Sequence, residues 1–161
     1  VEQLKKLLPE HADELDQKLE DYAADLESVK TDAEKLLSIP EGRRVLVTAH
    51  DAFGYFGRMH EMVVVGLQGL STEDEVGLTD IQETVDLLVE RQIPAVFIET
   101  TINENTIRSV IDGAAEAGWE VTLGGELYSD AMGEQGTPEG TYAGMYRHNV
   151  DTIYKALLGE E

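Results

Sequence analysis

Three short runs limit what this chain can become: VLV at 45–47, MVVV at 62–65 and AVFI at 95–98. Each is apolar, rich in β-branched residues and almost without alternation, the pattern of a strand covered on both faces. Between them the apolar period changes to that of helices. The expected strands are 45–49, 62–67, 95–98 (introduced by Pro94) and 119–123, the last opened by Trp119. Residues 51–59 read as a short helix. Thr79 can N-cap a helix with an apolar face of Ile81, Val85, Leu88 and Val89. Asn103 begins another, with Ile107, Val110, Ile111 and Ala114 on its apolar face and Gly118 closing it. A Gly-rich loop then leads to a helix from about Gly140 to Leu158. Strands that alternate with helices build a parallel sheet with right-handed crossovers.

Residues 1 to about 38 carry no β signal. Leu15, Leu19, Tyr22, Leu26, Val29, Ala33 and Leu36 recur by four and three, one apolar stripe on a long helix. Such a stripe packs along a domain or forms a coiled coil. Pro9 suits a first helical turn, so a short helix at 1–8 is expected to precede or bend into the long one. Ile39, Pro40, Glu41 and Gly42 end it. The fold expected is therefore α/β: a long N-terminal helix over 1–39, then a Rossmann-like lobe over 40–161 with a four-stranded parallel sheet and helices on both faces.

Twelve Lys and Arg stand against 33 Asp and Glu, a formal charge of −21. Nucleic acid and anionic membrane surfaces are not expected as partners, because both call for clustered cations. An acidic surface of this kind serves solubility or salt tolerance, and it concentrates cations without choosing among them. Cysteine is absent, which removes disulfides, zinc ribbons and thiol catalysis. No run of about 18 apolar residues offers a membrane span, and no signal peptide is present. The chain opens inside a helix and so reads as a piece of a longer protein.

The ligand-type side chains gather at strand exits. The strands end just before His50, Gln68, Glu99 and Gly124, and the loop after the fourth carries Asp130. Open α/β sheets bind ligands at this carboxyl edge. A His and an Asp converging there form half of a metal site. Asp51 can cap the helix after the first strand or orient the imidazole. Glu99 can hydrogen-bond a ligand or the neighbouring loops. Glu126 and Ser129 are weaker supporting residues. Gly124, Gly125, Gly133 and Gly136 would let the backbone approach the site closely. Phe53, Tyr55 and Phe56 are expected to pack the short helix down, and Trp119 to join the core. His11, His60 and His148 read as surface or helix-packing residues.

Four segments then carry a resemblance. VTAHDAFGYFGR, LQGLSTEDEVGLTDI, AVFIETTINENTI and GGELYSDAMGEQGTPEGTYAGMYRHNVDTI resemble, in order and in context, the second lobe of the metal-binding solute-binding proteins of manganese and zinc ABC importers. The resemblance extends from about Val1 to Leu158. It implies two α/β lobes joined by one rigid helix, with a metal between them held by four loops. The second lobe supplies a His or Glu after its first strand and an Asp after its fourth; carried over, these are His50 and Asp130. Residues 1 to about 38 resemble the linking helix. No segment resembles the first lobe, which usually gives two histidines, so half of the site is expected here. The resemblance further implies an extracytoplasmic receptor, periplasmic or lipid-anchored. It would capture Zn²⁺ or Mn²⁺, with Fe²⁺ as an alternative, and deliver it to an ABC permease without chemical turnover. Apolar surface left by the absent N-terminal lobe points to self-association.

Two other functions are compatible with the residues. A His with two carboxylates at a strand rim could serve a metal-dependent hydrolase, although no nucleophile elbow, phosphate loop or metalloprotease helix motif is present. The acidic long helix could instead be an interaction module.

Overall fold

The computed structural model describes residues 1–68, 76–100 and 105–159. The loop expected at 69–78 lies largely outside these residues, as does Asn103.

A short helix, α1 (Glu2–Leu7), and a 3₁₀ turn (Pro9–His11) lead into α2 (Ala12–Ala33), which tightens into a second 3₁₀ turn at Glu34–Ser38. Pro9 sits at the start of its turn, where the missing N–H costs nothing. The apolar stripe of α2 is only partly used. Val29, Ala33 and Leu36 are buried, whereas Leu19 and Tyr22 are 47% and 51% exposed. The helix is thus anchored by its C-terminal third rather than packed along its length. Charged contacts reinforce the anchor. Arg147 donates to Asp32 and Asp25 at 2.9 Å each, and Lys35 pairs with Asp151.

The lobe runs β1 (Val45–His50), α3 (Gly54–Met59), β2 (Val63–Gln68), α4 (Leu78–Arg91), β3 (Ala95–Glu99), α5 (Asn105–Glu116), β4 (Thr122–Leu127), a 3₁₀ turn (Pro138–Gly140) and α6 (Tyr142–Leu158). Every residue of β1 is buried, which requires cover on both faces. Leu46, Leu88, Ile93, Phe97, Ile107, Leu127, Ile153 and Leu157 form the fully buried centre, drawn from strands and helices alike. Trp119 packs against it from just before β4, and its indole N–H donates to the Ile93 carbonyl at 2.8 Å.

Three details differ from the expected fold. First, the strands form two parallel pairs, β1–β2 and β3–β4, instead of one continuous ladder. β1 lies beside β3, but at their carboxyl ends the Glu99 carboxylate takes the N–H groups of Ala49 and His50. A side chain stands where a strand's carbonyls would be. Second, β4 begins and ends later than 119–123. Gly124 and Gly125 lie inside it, not in a loop. The register shifts there, with Val96 opposite Leu123 and Phe97 opposite Gly125. Gly125 has φ +135°, and a Cβ on Gly124 would lie 2.8 Å from the Phe97 ring. The pair is a bulge. Third, α4 starts at Leu78 with Gly77 as its cap residue, so Thr79 lies inside the helix. The Asp80 carboxylate accepts the Gly77 N–H at 3.0 Å.

His60 ties α3 to α6. It is buried, and its Nε2 shares a 2.6 Å hydrogen bond with the Tyr146 hydroxyl. Burial holds the His60 pKa below its usual value; burial, and then Tyr142, push Tyr146 up to about 12. The folded state favours the neutral ring, so the unfolded chain binds more protons below about pH 6.5. This contribution to stability is complete above that pH and declines as pH falls toward the lowered folded pKa. Denaturant unfolding between pH 7 and pH 5 should therefore show a shallower loss in His60→Gln than in the wild type. Equal pH slopes would contradict the assignment.

Candidate metal centre

The candidate site lies where β1 and β4 end. His50 is the last residue of β1, paired with Gln68 of β2. Its exit is fixed locally. The Thr48 hydroxyl donates to the His50 carbonyl at 2.9 Å, and the Ala52 N–H donates to the same oxygen at 3.0 Å. The Asp51 N–H donates to the Gln68 carbonyl, also at 3.0 Å. The imidazole is 5% exposed.

Glu99 closes β3 directly beneath it, with a fully buried side chain. Its two oxygens receive three groups: the Ala49 N–H at 3.0 Å, the His50 N–H at 3.2 Å and His50 Nδ1 at 2.9 Å. Burial pushes the Glu99 carboxyl up, and the two backbone N–H donors and the imidazole pull it back down. The carboxylate can only accept, so Nδ1 carries a proton and Nε2 of a neutral ring is left with its lone pair free. That nitrogen faces Asp130, whose Oδ2 lies 3.4 Å away. The Asp130 side chain is 63% exposed. A buried base and an open carboxylate therefore share one rim.

The other proposed residues stand apart. Asp51 is exposed, and α3 begins at Gly54 with Phe53 in the cap position and no side-chain cap. The expected capping role fails because Ala52 and Phe53 separate Asp51 from the helix. Glu126 is exposed on β4, and its carbonyl, not its carboxylate, is engaged, by His148 Nε2 at 3.0 Å. Ser129 lines a cavity with Ala52, Phe53 and Tyr146, and its buried hydroxyl oxygen has no hydrogen-bond partner among the described residues. Phe53 and Phe56 pack edge to face with centroids 6.0 Å apart, whereas Tyr55 is 83% exposed. Among the described residues, no three His, Asp or Glu side chains assemble a complete metal cage. His50 and Asp130 converge; the third and fourth positions of a cage do not.

Residues 1–156 match the family model described as zinc-uptake complex component A, periplasmic. The chain belongs to this family. It is 54% identical over 156 residues to the manganese-binding lipoprotein MntA of Bacillus subtilis, covering 96% of this chain and 51% of that protein. It is 48% identical to the zinc-binding protein TroA of Treponema pallidum, with 97% and 51% covered. A third relative, the iron-binding protein YfeA of Yersinia pestis, is 29% identical, with 98% and 50% covered. The solved structure of periplasmic TroA superposes with a TM-score of 0.89 at 46% identity, over 97% of this chain and 57% of that one. The chain thus spans about half the length of the curated relatives it matches. No helix among the described residues is long and apolar enough to cross a membrane.

Proposed function

We propose that this chain is the metal-ligating lobe, with linking helix, of an extracytoplasmic receptor that captures Zn²⁺, Mn²⁺ or Fe²⁺ for an ABC permease. His50 Nε2 and the Asp130 carboxylate supply two ligands, and the remaining coordination positions are filled from outside the lobe. The observation that carries this reading is the 3.4 Å separation of His50 Nε2 and Asp130 Oδ2. Two bonds of about 2.0–2.1 Å meeting at a tetrahedral angle place their ligand atoms about 3.4 Å apart. The rim is spaced for one ion between the two atoms. Glu99 supports the reading as the carboxylate that orients the ligating imidazole. The relatives named for manganese, zinc and iron binding favour capture over turnover, and imidazole with carboxylate suits all three ions. The exposed Leu4, Leu7, Leu19 and Tyr22 along the helical arm would meet the other lobe or, in its absence, a second copy.

Zn²⁺ and Mn²⁺ titrations of the chain, His50→Ala, Asp130→Ala and the double variant test the proposal. Saturable binding is expected in the wild type and lost in the double variant. Two ligands cannot complete a four-coordinate cage, so the wild type should bind far more weakly than nanomolar. Binding unchanged by the double substitution would assign the ions to the acidic surface and refute the site. Nanomolar affinity in the monomer would refute the half-site.

A further inference from the structure

Asp130 is placed by something other than its own side chain. Its carboxylate is mostly exposed, and among the described residues it pairs with His50 Nε2, the atom it would share a metal with. β4 has already ended at Leu127, whose carbonyl takes the Thr100 N–H as the last link to β3. Beyond that point no strand among the described residues pairs with the backbone.

Asn149 on α6 takes the strand's place. The Tyr128 N–H donates to Asn149 Oδ1 at 2.9 Å, and Asn149 Nδ2 donates to the Tyr128 carbonyl at 2.7 Å. A carboxamide carries one donor group and one acceptor at the spacing of a backbone peptide, so it satisfies both groups of residue 128 without charge. The Asn149 side chain is held among core residues of α6, and the residue is 3% exposed. The chain is next fixed at Gly133, whose N–H donates to the Glu139 carbonyl at 2.9 Å. Asp130 lies between the two fixed points, two residues from the first.

We propose that Asn149 is a positioning residue for metal capture: its carboxamide holds the Tyr128 peptide and thereby sets the Asp130 carboxylate opposite His50. The role rests on the reading of His50 and Asp130 as ligands. It belongs to α6, a helix that contributes no ligand.

A double-mutant cycle separates the two ideas, with Zn²⁺ affinity of the whole chain measured by calorimetry for wild type, Asn149→Ala, Asp130→Ala and the pair. Loss of a group that orients a ligand typically weakens metal binding about 10-fold or more, and that loss is expected for Asn149→Ala. In the Asp130→Ala background the same substitution should change affinity by less than about twofold, because its effect passes through Asp130. An equal loss in both backgrounds, or no loss in either, overturns the positioning role while Asp130→Ala still weakens binding. Unchanged affinity in Asp130→Ala alone overturns the ligand reading itself. Should Asn149→Ala not fold, Asn149→Asp takes its place in the cycle. It keeps the acceptor for the Tyr128 N–H and loses the donor to the carbonyl. A loss seen only when Asp130 is present supports the role, and a loss independent of Asp130 overturns it.

Discussion

Glu99→Ala is expected to lower metal affinity by about 10–100-fold and to destabilise the lobe by about 3 kcal/mol. The affinity term follows from the loss of the group that fixes an imidazole ligand's tautomer and raises its basicity. The stability term follows from what the carboxylate leaves behind. The Ala49 N–H, the His50 N–H and the protonated Nδ1 of His50 all lose their acceptor at a position closed to water. An orphaned buried donor costs about 1–3 kcal/mol. Relief of the buried charge offsets part of this, since desolvation already pushes the Glu99 carboxyl up. For a domain of this size the net loss corresponds to a fall of about 6–12 °C in Tm. Glu99→Gln retains an acceptor oxygen and should keep more stability than affinity. Thermal melts and Zn²⁺ titrations of both variants check the prediction, and wild-type affinity in Glu99→Ala would refute it.

The second large effect is expected from Gly66→Ala, in the middle of β2. A Cβ at this position would stand 2.4 Å from the Asp51 nitrogen, 2.6 Å from its Cα and 2.7 Å from the His50 carbonyl carbon. All three are backbone atoms, so no rotamer change relieves the contact. The exit of β1 must move away from β2, against the register that pairs His50 with Gln68. Overpacking typically costs about 1–3 kcal/mol, and a collision with backbone belongs at the upper end. The distinguishing feature is where the damage falls. Amide exchange should speed up first at Asp51, whose N–H is bonded to Gln68, and metal affinity should drop with it. A variant as stable as the wild type, with an intact Asp51 amide, would contradict this account.

β1, β2 and β3 were legible to within about a residue because buried parallel strands leave uninterrupted apolar runs. β4 was not, because Gly124 and Gly125 look like the end of a strand when read alone. Only the register against Val96 and Phe97 shows them to be a bulge. The break between β1 and β3 was equally hidden. Glu99 looks like any acid at a strand end, and nothing in the chain announces that it will accept two backbone N–H groups from a segment about fifty residues earlier. The convergence of His50 and Asp130 could be read ahead because both follow parallel strands that end at one edge. Asn149 could not, since its partner is the backbone of residue 128, and a backbone partner leaves no residue type to search for. The stripe on α2 predicted a helix correctly but said nothing of how much of it would be covered.

That partial cover has a mechanical meaning. The side-chain ties of α2 to the lobe begin at Asp25, and the helix continues back to Ala12. At about 1.5 Å per residue this leaves an arm of about 20 Å. A tilt of about 10° at the ties would swing the tip by about 3–4 Å. The fulcrum is Arg147, which grips Asp25 and Asp32 and stands two residues before Asn149 on the same helix. The base of the arm is therefore fastened to α6 itself, the helix that also grips the exit of β4.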